Sequence, residues 1–292
     1  MQHRGGKRQA WPWAVARRWV PVMVMACSSI ICAASATAYA QADSAPQIWE
    51  WSLGMGIQEV ASRDEAGSPL AYVGTGFPLA LRAQLQRPQW SSGMQASAIY
   101  YGINGGKLQA APATEGGESH RADSVFVDLS LWAQRAVISG ESLALSAGVQ
   151  LGHWTFFRSY LYNPRQIGSV ETWDAVVTSD ARLALEYLGQ RWSWRMATSL
   201  ALAGRMMRPS YSIRGDERLA LVESRRNVFR YGEWTSLHRL RMVQAETSVQ
   251  WNLNDRWGLW AQYRVGTLVY EADVSTRAFS QRVVSGIQLR FY

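Results

Sequence analysis

Apolar and polar residues alternate with a period of two through most of the chain. In LALSAGVQLGHW (143–154), Leu143, Leu145, Ala147, Val149 and Leu151 share one face, and Ser146, Gly148, Gln150 and Gly152 share the other. In WDAVVTSDARLALEY (173–187), Trp173, Ala175, Val177, Ala181, Leu183, Leu185 and Tyr187 oppose Asp174, Thr178, Asp180, Arg182 and Glu186. Such alternation over about ten residues is the signature of a strand with two unlike faces, whereas a helix repeats its apolar positions every three or four. The pattern predicts ten strands, at 48–59, 77–87, 91–102, 124–136, 142–157, 171–188, 191–206, 236–252, 257–271 and 279–292. Eight or twelve are the neighbouring counts, since RLALVES and NVFRYGEW could lengthen the set.

The connections alternate as well. Short ones (RPQ, ISGES, GQ, LNDR) follow the second, fourth, sixth and eighth strands, and long ones (60–76, 103–123, 158–170, 207–235) follow the first, third, fifth and seventh. The ninth, EADVSTRA, is intermediate. From residue 41 onward every proline lies in a connection or at a strand end, where its missing backbone donor costs least. The predicted fold class is all-β.

The first 40 residues break the pattern. Residues 1–19 carry five Lys or Arg and no acid, 20–36 is an apolar run, and Ala38 and Ala40 supply small residues for cleavage. The expectation is a signal peptide over 1–40 and a single domain over 41–292. Arg17-Arg18 lacks the rest of a twin-arginine motif, VMAC (24–27) is a poor lipidation box, and a retained anchor is the remaining variant. Cleavage removes both cysteines, Cys27 and Cys32, and lowers the formal net charge from +8 to about +3. That excludes a disulfide framework and a thiolate metal site, and it leaves no case for a nucleic-acid partner.

Short turns at one end, long loops at the other and both termini on the short-turn side resemble a bacterial outer-membrane β-barrel, over essentially all of 41–292. The resemblance implies a monomeric, transmembrane, antiparallel up-and-down barrel in the outer membrane of a Gram-negative cell, touching its lipid and lipopolysaccharide. It also gives the closing segment VSGIQLRFY a role: the last strand seals against the first and is read by the barrel-assembly machinery. Gly286, Leu289 and Phe291 look like that signal, and Tyr292 stands one residue beyond the expected final aromatic. The physics agrees independently, because in hydrocarbon a sheet satisfies every backbone N–H and C=O only by closing. Trp49, Trp90, Trp173, Tyr187, Trp192, Trp251, Trp257 and Tyr270 fall at strand ends, where they suit the two membrane interfaces. A soluble sandwich would need a larger apolar core than these half-polar faces supply.

With the apolar faces toward lipid, the alternate residues face a lumen: Glu50, Arg82, Gln84, Asp128, Asp180, Arg182, Glu186, Arg195, Glu246, Gln262, Arg264, Arg282 and Arg290. Either these ions fill and stiffen a narrow barrel, or their arginines line a path for small anions. Between Arg205 and Arg241 lie nine arginines, among them Arg208, Arg214, Arg225, Arg226, Arg230 and Arg239, interleaved with Tyr211, Phe229, Tyr231 and Trp234. Guanidinium groups pair bidentately with phosphate and carboxylate, so this loop is expected to grip lipopolysaccharide phosphates or an acidic glycan. Asp216, Glu217, Glu223 and Glu233 would neutralise part of it.

An enzymatic alternative rests on His120, His153 and His238, sent by this topology toward the loop end with Asp174 at comparable height. A histidine beside a carboxylate serves as a general base in hydrolysis of a peptide or of lipid A. The omptin proteases are barrel enzymes with paired aspartates and an Asp-His pair near the rim. This chain has no D-x-D, D-D or D-x-H, so none of their residues carries over. Neither metal-ligand spacing nor a nucleotide fingerprint is present, and no cofactor or metal is expected. The leading reading is a non-enzymatic barrel, either a narrow channel or a structural, surface-interacting protein; the other is a surface hydrolase at the extracellular rim.

Overall fold

In the computed structural model the described residues are 47–64, 68–87, 89–105, 121–161, 169–207, 233–271 and 275–292, and the expected signal segment lies outside them. They form twelve strand segments: β1 (Ile48–Asp64), β2 (Ser68–Gly76), β3 (Leu79–Gln86), β4 (Trp90–Gly105), β5 (Arg121–Ser139), β6 (Leu143–Leu161), β7 (Ser169–Leu188), β8 (Trp192–Met207), β9 (Glu233–Ser236), β10 (Leu240–Asn252), β11 (Trp257–Tyr270) and β12 (Thr276–Phe291). These occupy ten wall positions, because β2 and β3 share one place between β1 and β4, and β9 and β10 share one beside β8. All pairings are antiparallel, and β12 returns to β1 along a ladder from Trp49↔Phe291 to Asp64↔Thr276. The sheet is therefore a closed up-and-down barrel.

At the turn end the connections are tight. Gly140 N–H donates to Leu143 O at 2.8 Å and Gly189 N–H to Trp192 O at 2.9 Å. Before β11, Asn254 Oδ1 accepts from the N–H groups of Arg256 (2.9 Å) and Trp257 (2.7 Å), an Asx turn that starts the strand. Tyr292 lies past the last ladder residue and donates its hydroxyl to Asp255 O at 3.1 Å, so Phe291 is the final aromatic of the wall.

The segment 60–76, expected as a long connection, is mostly wall. β1 runs on to Asp64 and β2 pairs back on it, with Gln58 opposite Gly76. The glycines that make YVGTG look like a loop are there for close approach: a Cβ on Gly74 would lie 2.2 Å from Tyr101 Cδ2, and one on Gly76 would lie 2.7 Å from Tyr100 O. The opposite change occurs at 236–252, expected as one strand. It is broken by a turn at 237–239, where Arg239 N–H donates to Ser236 O at 2.9 Å.

Outside, Trp51, Leu53, Met55 and Ile57 of β1, Val283 and Ile287 of β12, Leu259 of β11 and Val249 of β10 are exposed in one apolar belt. Trp192, Trp251 and Trp257 stand exposed at its turn-end margin. Tyr270, expected in the opposite girdle, is buried instead: on β11 it shares parity with Arg264 and Leu268 and points inward.

The inward face is divided into two storeys. Toward the turn end it is polar, and buried Gln, Ser, Arg, Asp and Glu side chains fill it. Toward the loop end Val60, Ile99, Tyr101, Phe126, Trp154, Phe156, Val176, Met206, Leu240, Met242, Leu268 and Ala278 pack into one apolar cluster.

Candidate functional site

The polar storey is built by parity alone: on each strand every second residue enters the barrel, so acids and arginines from distant parts of the chain meet on its axis. Asp128 of β5 accepts from Arg264 Nη2 of β11 at 3.4 Å, from Arg282 Nη1 of β12 at 3.2 Å and from Trp154 Nε1 of β6 at 3.1 Å. Arg182 of β7 binds Glu246 of β10 and gives its Nη1 to Gln150 Oε1 at 2.5 Å. Glu246 accepts a further bond from Gln262 Nε2 at 3.2 Å. Gln262 in turn pairs reciprocally with Gln95, at 2.5 and 3.2 Å. Gln150 Nε2 donates to Asp180 at 3.2 Å, and Arg290 Nε to Glu50 at 2.9 Å near the turn-end mouth.

Glycine makes room for the rings inside this lumen. Trp260 lies over Gly54 and stands opposite Gly286 in the β11–β12 register, Trp132 faces Gly93 across a register pair, and Trp154 reaches over the lumen to Gly266, where a Cβ would come within 2.6 Å of its ring. Around Trp132 stand three guanidinium groups, of Arg182 at 5.1 Å and of Arg82 and Arg195 at 5.8 Å. A recess bounded by Arg182, Gln244, Glu246 and Arg264 is too small to admit a water molecule.

In the apolar storey Trp154 meets Phe126 edge-on, with centroids 5.4 Å apart and planes at 85°, and Phe156 lies 4.7 Å from Phe126. Above them Arg158 pairs with Asp174 at 3.0 Å while its guanidinium covers Phe156. Among the described residues the lumen thus holds two kinds of filling, ions below and rings above.

Among the residues that the sequence pattern sends to the lumen, Glu50, Arg82, Asp128, Asp180, Arg182, Arg195, Glu246, Arg264 and Arg282 are buried on the inward face, with Glu186 half-buried beside them. The three inward tryptophans are additions to that set, although each shares parity with polar lumen residues. The two described histidines, His153 and His238, do not converge. His153 is on the outer face of β6, bonded through Nε2 to Thr155 Oγ1 at 2.7 Å, whereas Asp174 points inward on β7. His238 is exposed in the turn before β10, with Nδ1 2.5 Å from Ser236 Oγ, and His120 lies outside the described residues. Of the loop arginines, Arg208, Arg214, Arg225, Arg226 and Arg230 also lie outside them. Arg239 and Arg241 are described and exposed, Arg241 facing Glu271 at 3.4 Å. Gly286 and Leu289 lie in the β1–β12 seam, opposite Gly54 and Trp51.

Closure, an apolar belt and a polar interior define the class as an outer-membrane β-barrel. No family model matches the chain, and no curated protein matches it. Solved structures do match. The outer membrane protease OmpT from Escherichia coli is 10 % identical with a TM-score of 0.51, over 86 % of this chain and 99 % of that one. OprG from Pseudomonas aeruginosa is 11 % identical (TM-score 0.33, covering 83 % and 96 %). Neisserial surface protein A is 9 % identical (TM-score 0.31, covering 84 % and 99 %). The likeness to OmpT is one of fold.

Proposed function

We propose that this chain is a non-enzymatic, non-conducting outer-membrane barrel that works by its outer rim, where it holds the phosphates of lipopolysaccharide. The observation that carries the reading is a row of arginines above the apolar belt. Arg63 of β1 stands opposite Arg277 of β12, Arg277 opposite Val269 of β11, and Val269 opposite Arg241 of β10, all pointing outward. Guanidinium groups at one height on neighbouring strands match the spread of phosphates on a lipid headgroup, which they would hold by charge-assisted hydrogen bonds. Ile57, Val283 and Val243 lie on the same outer faces nearer the turn end, so an acyl chain on the belt would put its headgroup phosphate at this height.

The packed lumen supports the non-conducting half of the reading. Opposite orientation of His153 and Asp174 across the wall supports the non-enzymatic half. The test is lipopolysaccharide retained on the purified barrel. Replacing Arg277 and Arg241 together by Gln is expected to weaken retention by about tenfold or more, as loss of charge-assisted bonds does. Unchanged retention would sink the rim assignment, and discrete openings of the wild type in a planar bilayer would sink the closed lumen.

A further inference from the structure

The polar storey is not uniformly paired. Asp128, Glu246 and Glu50 each take a guanidinium, from Arg264 and Arg282, from Arg182 and from Arg290. Among the described residues Arg82 and Arg195 have no carboxylate within ion-pair distance, although Glu246 lies close enough to act on both. Both are at least nine-tenths buried, and both give a donor to the same neutral oxygen, Gln84 Oε1, at 2.5 and 2.8 Å. Arg195 has one further bond, to Gln134 Oε1 at 3.0 Å. Its register partner Glu186 faces the same lumen and acts on it as a charge at longer range, without a direct contact. Two cations therefore share one amide oxygen in a site walled off from water, an arrangement that costs far more than a paired ion unless something anionic joins it.

Around these two cations the unmatched atoms are mostly donors; the orphan acceptor in the adjoining network, Asp180 Oδ1, belongs to the carboxylate that Gln150 holds. Gln84 Nε2, Trp132 Nε1, Arg195 Nε and Arg182 Nε are buried N–H donors with no acceptor among the described residues. Spare N–H donors gathered about two guanidinium groups that lack a direct carboxylate contact suit an anion better than they suit water, which would bring donors of its own. The Trp132 ring, with three guanidinium groups over it, offers its π-face to the cations and its N–H edge to the same space. The cluster lies one side-chain layer from the turn-end mouth, behind Gln86, whose Nε2 is held by Glu50 at 3.4 Å.

We propose that this cluster is a binding site for one small inorganic anion of halide size, held by Arg82 and Arg195 with Trp132 Nε1 and the Gln84 amide, and entered from the turn end. The Gln84 carboxamide oxygen marks the place where the anion sits, and its side chain turns to present Nε2 when the anion is bound. The site is separate from the rim and does not depend on the function proposed above.

The experiment is denaturant unfolding of the full chain folded in detergent, titrated with chloride or bromide against gluconate at constant ionic strength. The wild type is expected to gain stability along a saturating curve, and Arg195→Gln to shift the half-saturating halide concentration up by about tenfold or more. Gln84→Glu supplies a fixed negative charge in place of the anion, so that variant is expected to fold and to lose the halide dependence. It keeps the test open should Arg195→Gln fail to fold. Stability independent of halide in the wild type would overturn the proposal. So would a halide effect of the same size in Gln84→Glu, which would report general salt action.

Discussion

The two storeys of the lumen use one backbone rule with opposite chemistry. In β10 the inward residues are Leu240 and Met242 at the loop end, then Gln244, Glu246, Ser248 and Gln250; the outward residues are Arg241, then Val243, Val249 and Trp251. Below, the wall is apolar outside and polar inside, as lipid demands. Above, β10 turns Arg241 outward and Leu240 and Met242 inward, as in a soluble barrel. The inward face changes character between Met242 and Gln244, at the height where the outward face changes from Arg241 to Val243. The two halves thus answer to different forces, one to electrostatic pairing in a region of low dielectric and the other to ordinary packing.

That contrast can be attacked directly by unfolding variants in denaturant and reading gel mobility without boiling. The largest loss is expected for Glu246→Ala, which strands Arg182 in the polar storey and should cost about 3–5 kcal/mol. A loss under about 1 kcal/mol would mean that water reaches the storey and screens it. In the apolar storey Leu268→Ala should cost about 2–3 kcal/mol through cavity formation, with little dependence on salt. The smallest change is expected when both members of the ion pair go: Arg182→Met with Glu246→Leu should fall within about 1 kcal/mol of wild type, since a well-packed apolar pair often replaces a buried ion pair at no loss. A double variant as damaged as Glu246→Ala would show that the wider network, through Gln150 and Gln262, needs these charges.

Much of the barrel is legible in the amino-acid sequence. Period-two alternation marks the ten wall positions and the side on which Asp128 or Arg264 must lie, and short polar connections mark the turn end. The storeys are harder to see. Adjacent apolar residues such as Met242 and Val243 interrupt the alternation and read as noise, yet they are the flip itself. β2 is hidden because Gly74 and Gly76 look like loop residues, and only the ring of Tyr101 and the backbone at Tyr100 explain them. Trp132, Trp154 and Trp260 escape notice because tryptophan in a barrel sequence suggests an interface. Two of them have a local sign, a glycine directly across the register: Gly93 for Trp132 and Gly286 for Trp260. The anion cluster has no such sign, because Arg82, Trp132 and Arg195 meet across the barrel and no spacing along the chain encodes that meeting.

The seam between β1 and β12 has a consequence in time. During synthesis β1 is made first, and its final partner is made last. From its first appearance until β12 arrives, the strand carrying Trp51, Leu53, Met55 and Ile57 has one unpaired row of backbone groups beside an apolar flank. Such an edge is a template for wrong partners, and pairing across so long a sequence separation is slow. The most vulnerable moment in the life of this protein therefore falls before it reaches its membrane, and the hazard is greatest at the strand that waits longest.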